Sequence, residues 1–398
     1  MALQAAFTLN PNEIFASIAN MIISQEVFAD NLGKHQSLVD KARVDGGLFG
    51  DKKLYYATDV LKSHEWAKDS EAANLLSLDR PADPKVQDIT LDIFRQIRLT
   101  VDNYLSKRAW STEGAFSSFN SVMLGWMRET KRVYDGTLYN VFIGTTESSV
   151  GKQQVSVDLS TSSGHPLYNL SGVEKEKMEA MLIAQSLADL FVEMGDYSRS
   201  FNDYQFLRSY SEEAIKVVWN AKFINKIRKV DLPTIFHKEG LVEKMEEEIL
   251  PARYFGTVIT SSNVSSYSAS TPAAGKPIDS DDSSYVPGSN HANGCIRSCV
   301  EKDVTVSSVA YHVFPGDEIP AGATIKASGT FELGEVYIEQ ADVICKVLVK
   351  LPPYMSAFEV GTSFFNPRSL TENHYLTFGH NTLEKLDNYP FITVKASR

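Results

Sequence analysis

The longest periodic signal in the chain is helical. Apolar positions at Phe116, Phe119, Met123, Trp126, Met127, Thr130, Val133, Tyr134 and Leu138 fall three or four apart. They predict one buried face on a helix from Glu113 to about Tyr139, with Thr112 as its N-cap. At 1.5 Å per residue such a helix is roughly 40 Å long, well beyond the usual three turns. A second helix is predicted from Glu174 to about Met194, with Met178, Met181, Leu182, Gln185, Ala188 and Phe191 on its inner face. Near the start, Ile14, Ile18, Met21 and Ile22 follow Asn10-Pro11-Asn12 and predict a short helix with little core of its own.

Alternation replaces helical spacing elsewhere. Lys53 to Thr58 reads as a strand, and Ile89 to Tyr104 as a longer one, with Ile93, Arg95, Ile97, Leu99 and Val101 on one parity and Phe94, Gln96, Arg98 and Thr100 on the other. The polar stretch Asp79-Arg80-Pro81-Ala82-Asp83-Pro84 lies between them, which predicts a projecting arm whose two strands pair mainly with each other. A lone strand pair is marginal in water, so the arm's apolar parity is expected to be covered by another chain. Ala214 to Trp219 reads as a strand and Lys238 to Leu250 as a short acidic helix stopped by Pro251. Ser148 to Ser163 is polar with little signal, and residues 260–294, rich in Ser, Thr, Gly, Pro and Asp, read as a long loop. Strands are predicted at Val304–Val313, Thr324–Phe331, Glu335–Ile338 and Val343–Lys350, with turns at Pro315-Gly316-Asp317 and Pro320-Ala321-Gly322. The fold class this predicts is α+β.

The 398 residues, 43% hydrophobic and 11% aromatic, suffice for one large domain or two to three ordinary ones. Ile14 to Ile23, the longest early apolar run, is broken by Ser17 and Asn20 and is too short for a membrane span, so no membrane partner is expected. The opening Met1-Ala2-Leu3-Gln4-Ala5-Ala6-Phe7 lacks the basic region of a secretory signal, which predicts a protein that stays in the cytoplasm where it is made. Three cysteines, Cys295, Cys299 and Cys345, are an odd set suited to a reducing compartment. A formal net charge of -11 argues against a large nucleic-acid footprint, since phosphate neutralisation needs clustered Lys and Arg.

Four constellations could carry chemistry. Thr146 to Gln153, with Gly151 and Lys152, imitates a phosphate-binding loop, but Thr146 stands where glycine is needed and Gln153 where Ser or Thr would hold magnesium. His291, Cys295 and Cys299 lie four apart, with His312 or Asp303 as a conceivable fourth zinc ligand, yet only one cysteine pair is present. Ser63-His64-Glu65-Trp66-Ala67-Lys68 has Lys68 where a zinc-protease helix needs its second histidine. His374 and His380 sit among aromatics with no Gly-x-Ser-x-Gly elbow in the chain, and read as partly buried, hydrogen-bonded histidines. The expectation is a chain with no catalytic, cofactor-binding or metal site, and no enzyme.

Four stretches carry a resemblance. Val44-Asp45-Gly46-Gly47-Leu48-Phe49-Gly50-Asp51, the return Ile93 to Tyr104 and the helix Glu113-Gly114-Ala115-Phe116 to Tyr139-Asn140 resemble tailed-bacteriophage major capsid proteins. So does the end, Ala357-Phe358-Glu359-Val360-Gly361-Thr362-Ser363-Phe364-Phe365-Asn366-Pro367-Arg368 with Thr377-Phe378-Gly379-His380-Asn381-Thr382. The resemblance implies the Hong Kong-type phage capsid fold, with an N-terminal arm over residues 1–40 and an extended E-loop with its roots over 41–108. It places the peripheral domain's spine helix in 109–160, a mostly axial domain with crossings in 161–350, and a C-terminal return segment in 351–398. It implies a subunit of an icosahedral virion head, partnered by copies of itself in pentamers and hexamers, a portal, and enclosed double-stranded DNA bound without sequence specificity. No charged helical leader of about a hundred residues precedes the arm, so a separate scaffolding protein is expected. Lys52 or Lys53 would be conceivable donors for the Lys–Asn crosslinks that some members form. The alternatives are an encapsulin-like compartment shell and, in a different class, a soluble cytoplasmic enzyme, whose mark would be convergent titratable residues in a cleft.

Overall fold

The computed structural model describes residues 38–47, 50–64, 80–102, 113–228, 246–269, 278–279, 295–357 and 360–398, with the side chains of 113–124, 225–228, 246–247, 268–269 and 278–279 outside that description. The expected helix at Ile14–Ile22, the Thr112 cap, the tip of the arm and His291 lie outside the described residues. The elements, in chain order, are α1 (Leu38–Ala42), β1 (Arg43–Asp45), β2 (Lys52–Ala57), β3 (Lys85–Asp102), α2 (Glu113–Thr145), β4 (Gln154–Asp158), α3 (Gly172–Gly195), β5 (Lys216–Asn220), α4 (Ala221–Arg228), β6 (Glu246–Leu250) and β7 (Gly256–Val258). There follow β8 (Ser268–Ala269), β9 (Ile278–Asp279), β10 (Ile296–Ser298), β11 (Lys302–Val306), β12 (Val309–Val313), β13 (Val336–Glu339), β14 (Val343–Leu348), β15 (Tyr354–Ser356), β16 (Val360–Asn366), β17 (Thr371–Asn381) and β18 (Phe391–Ser397). The architecture is α+β, and no helix among the described residues is long and apolar enough to cross a membrane.

The chain divides into two compact units, each built from separated stretches. The first takes in residues up to Lys52, Thr90–Tyr139 and Pro353–Thr382. Its framework is the antiparallel pairing of β3 with β17, which runs from Thr371 opposite Asp102 to Asn381 opposite Leu91. The sheet order is β1-β15-β17-β3-β2, with β16 also paired along β17. The expected parity of β3 is correct: Ile93, Arg95, Ile97 and Leu99 are half-buried, Val101 is buried, and their even-numbered neighbours Phe94, Gln96, Arg98 and Thr100 are exposed. Its expected partner is not. Most of β3 is zipped to a strand some 270 residues further on. On the half-buried parity the Arg95 guanidinium lies over the ring of Tyr134 from α2, and that ring stands edge-on to Phe378 of β17.

The second unit takes in Lys53–Ile89, Asn140–Pro352 and Leu383–Arg398. A five-stranded sheet in the order β4-β18-β14-β5-β6 forms its centre. The middle strand β14 is buried at every position, as a strand covered on both faces must be. The helix α3 packs on this sheet through Ala180, Ile183, Leu187, Leu190, Phe191 and Met194. A separate apolar cluster, including Ile259, Ile296, Val304, Phe331 and Ile338, is associated with the three-stranded sheet β10-β13-β7 and the β11–β12 hairpin. Gly144, in the last turn of α2, lets the Tyr254 carbonyl approach so closely that an added Cβ would sit 2.0 Å from that oxygen.

Several expected elements are corrected. The long helix runs to Thr145, 33 residues in all, or about 50 Å. The expected face of α3 is partly out of phase: Phe191 is buried and Met178 and Leu182 pack against the core, but Met181 is exposed, while Ala180, Ile183, Leu187 and Leu190 point inward. Glu246–Leu250, expected to end an acidic helix whose first part lies outside the described residues, is a strand parallel to β5, with Ile249 opposite Trp219; tertiary pairing overrides local propensity there. The signal-poor stretch after Ser148 contains β4. Val304–Val313 is two strands joined at Ser307 and Ser308, whose φ values of 50° and 67° fit a primed hairpin turn. Thr324–Phe331 is not a continuous strand; it is a loop closed by one bridge between Ile325 and Phe331.

Candidate functional site: buried polar clusters and exposed edges

The sequence candidates for chemistry are held by their own chain. Thr146 completes the last turn of α2 by donating its hydroxyl to the Phe142 carbonyl at 2.7 Å. Lys152 pairs with Glu193 on the surface at 2.8 Å, and the buried Gln153 spends its amide on Asp203 and on the Phe391 N–H. The loop is a turn, with Gly151 at a φ of 56° pressed against the Ser200 carbonyl. Cys295 is half-buried, and burial pushes the Cys299 thiol up to about 12. Cys345 is buried in β14. His312 lies between Glu301 at 2.9 Å and Asp303 at 2.5 Å on the exposed hairpin, and the Asp303 hydrogen bond raises its pKa. His374 is mostly covered, 3.9 Å from Glu372. His64 is exposed, and Lys68 lies outside the described residues.

In the first unit the buried polar groups centre on Asp135. Its carboxylate accepts from Lys131 Nζ at 2.8 Å, from the Tyr354 hydroxyl at 2.6 Å and from Arg43 at 3.3 Å. Beside it, the Tyr134 hydroxyl lies 2.8 Å from His380 Nε2, and His380 Nδ1 lies 2.9 Å from the Asn381 carbonyl. Since a carbonyl only accepts, Nδ1 carries the proton and Nε2 accepts from Tyr134. Burial lowers the His380 pKa and keeps the ring neutral. Asn381 accepts from the Met355 N–H at 2.7 Å and donates to the Pro353 and Thr382 carbonyls. This network ties α2 to β15 and β17 in one arrangement, and its groups are occupied in holding one another.

The second unit has two such clusters. Lys346, fully buried in the central strand, donates to the Thr146 carbonyl at 2.8 Å and to Thr393 Oγ1 at 2.9 Å, closing an open carbonyl at the end of α2. Burial brings its pKa down to about 7. Lys385 pairs with Asp203 and with the Ser148 hydroxyl. The outgoing segment after β2 is anchored too: Asp59 accepts from Arg199 at 2.6 Å and from the Leu207 N–H at 3.0 Å, and Arg208 donates to the Thr58 carbonyl. The Arg199 hydrogen bond holds the Asp59 carboxyl down at about 2.

Against this interior, the surface carries large exposed apolar side chains on extended elements. Leu54, Tyr56, Val60 and Leu61 are 51%, 66%, 52% and 76% exposed along β2 and the segment after it, joined by Val86 on β3. Phe364 and Phe365 protrude from β16, and Val309 and Tyr311 from β12. A groove of about 350 Å³ lies between the outer strand β4 and the side of α3. Large apolar side chains grouped on exposed strands mark surfaces that meet another chain.

No family model matches the chain, and no curated protein does either. Solved structures do. A chain in the capsid structure of Staphylococcus phage Andhra superposes with a TM-score of 0.53 at 11% identity, covering 91% of this chain and 84% of that one. A chain in the structure of head fiber and inner core protein gp22 of native bacteriophage P68 gives a TM-score of 0.53 at 9% identity, covering 89% and 83%. At such low identity the likeness is one of fold, and the fold extends over most of both chains: this chain has the α+β fold of a phage capsid chain.

Proposed function

We propose that this chain is a major capsid subunit, a structural protein without catalytic activity that closes into the icosahedral head of a tailed bacteriophage. The observation that carries this reading is the fold shared over about nine-tenths of the chain with a phage capsid chain. The exposed apolar strands support it, because a subunit that must contact several neighbours keeps such surfaces open until assembly. Rings of five and six identical subunits need heterologous interfaces, in which one face meets a different face of the next copy and the rotation closes. Many weak contacts acting together then give a stable shell while each can still be corrected.

On the Hong Kong-type plan, residues 1–40 are the arm, 41–108 the E-loop and its roots, and 109–160 the spine region. Residues 161–350 are mostly axial and 351–398 return to the periphery. The partners are copies of this chain, a separate scaffolding protein, a portal and enclosed double-stranded DNA, which a chain of net charge -11 contains without gripping. Assembly takes place in the host cytoplasm, and the finished location is the virion head. Sedimentation of the purified chain, alone and with a co-expressed scaffolding protein, tests the reading. Capsomer-sized or larger species are expected in at least one condition; a monomer under both at high concentration contradicts it.

A further inference from the structure

The strands β11 and β12 form a two-stranded hairpin whose two halves differ in cover. Val304 and Val306 of β11 are buried in the neighbouring apolar cluster, whereas β12 is exposed from Val309 to His312 and returns to that cluster only at Val313. Asp303 stands directly opposite His312 in the ladder, on the outward face, and Glu301 lies two residues before it on the same parity. The His312 ring fits between them: Nδ1 is 2.5 Å from Asp303 Oδ1, and Nε2 is 2.9 Å from Glu301 Oε1. The rings of His312 and Phe314 meet edge to face, 4.8 Å between centroids.

A carboxylate accepts hydrogen bonds and donates none, so each ring nitrogen that faces one must carry a hydrogen. Neutral imidazole has one N–H and one lone pair; only the imidazolium has two N–H groups. The geometry is therefore that of the charged ring. The neighbouring charges are engaged elsewhere. Lys302, on the opposite parity of β11, gives its ammonium to Glu335 at 2.8 Å, and Asp317 accepts from the Phe314 N–H at 3.0 Å. Thr305 and Ala310, the next pair along the outward face, carry no charge.

We propose that His312 is a proton-operated fastener of this hairpin: as the imidazolium it joins Glu301 to Asp303 and holds β12 against β11, and on losing its proton it lets the outer strand loosen. Deprotonation sets a ring lone pair against a carboxylate oxygen, so one of the two contacts must break. The Asp303 hydrogen bond raises the folded pKa of His312 above 6.5. The fastening is accordingly fully present below pH 6.5 and is lost as pH rises through the folded value. The Asp303 side chain is 86% exposed, which limits the clamp to the strength of a solvated ion pair, about two- to fivefold in the opening equilibrium. The inference goes beyond the capsid reading and does not depend on it.

Two measurements on the full chain test it. Exchange of the imidazole C2 hydrogen, followed by mass spectrometry against pH, titrates each histidine separately. The midpoint for His312 is expected above 6.5, and Asp303→Asn, on an exposed side chain that the fold does not need, should lower it. A midpoint at or below 6.5, or one that Asp303→Asn leaves unmoved, overturns the proposal. Amide hydrogen exchange of peptides spanning residues 302–313, corrected for the intrinsic pH dependence of exchange, then reads the hairpin. In the parent, protection should fall about two- to fivefold as pH rises through the His312 midpoint, while His312→Gln should show the lower protection throughout, with no step. Parent protection that stays level through the midpoint, or the same step in folded His312→Gln, contradicts the fastener.

Discussion

Asp135 shows how much a single buried charge holds in place. Its carboxylate is almost wholly covered and answers Lys131, Tyr354 and Arg43 together. Asp135→Ala strands a buried ammonium, and should cost roughly 3 to 5 kcal/mol, read from the denaturant midpoint. Tyr354→Phe removes one hydrogen bond to a charged group and should cost about 1.5 to 3 kcal/mol. Lys346 gives a pH signature instead. Its folded pKa of about 7 lies below the ordinary 10.5, so between these values the unfolded chain binds the extra proton. Stability contributed through this residue therefore rises with pH from about 7 to 10.5, and its cost is fully present below 7. Replacing Lys346 with Met should flatten the curve of unfolding free energy against pH in that window relative to the parent; parallel curves would show that the site does not titrate there. Neither the Lys131–Asp135 pair nor Lys346 is legible as structural in the sequence. Lys131 and Asp135 are i and i+4 on a helix, which commonly means a solvated pair, and Lys346 is one charge in an otherwise apolar strand.

For whole elements, existence was easier to read than phase or partner. Both long helices stand out because their spacing repeats over many turns. The spacing predicts an α3 face of Met178, Met181, Leu182, Gln185, Ala188 and Phe191; the structure buries Phe191 and packs Met178 and Leu182 against the core, but centres the face on Ile183, Leu187 and Leu190 and leaves Met181 outside. Several apolar residues on adjacent stripes make two faces nearly equivalent until the sheet beneath is known. Leu187→Ala should accordingly lose roughly 2 to 5 kcal/mol, while Met181→Ala, on an exposed side chain, should stay within about 0.5 kcal/mol; thermal melts of the two compare the faces directly. The alternation of β3 was plain, but its pairing with β17 is a long-range fact that no local pattern carries. The same limit hid β4 and β6, which are strands because β18 and β5 offer them an edge. The exposed strand ends were half legible. Leu54 and Tyr56 could be placed on a strand, but only the sheet order shows that β2 and β4 are edges.

At the scale of the molecule, the fold class and the capsid likeness were readable because they rest on the order of elements along the chain, which survives when individual residues do not match. The net charge of -11 bears on the proposal that a shell of this chain encloses DNA without gripping it. Without clustered cations, the free chain should show no retardation of double-stranded DNA at roughly 0.15 M salt in a gel-shift titration, and a salt-dependent complex of high affinity would mean a basic surface that the charge balance does not predict. The central claim is that copies of this chain close into a shell. Electron microscopy of the chain purified after co-expression with a scaffolding protein tests it most directly: the account predicts closed isometric particles whose walls are built from five- and six-membered clusters of this fold. Fields containing only dispersed monomers or open, irregular aggregates, from protein shown to be folded, would contradict it.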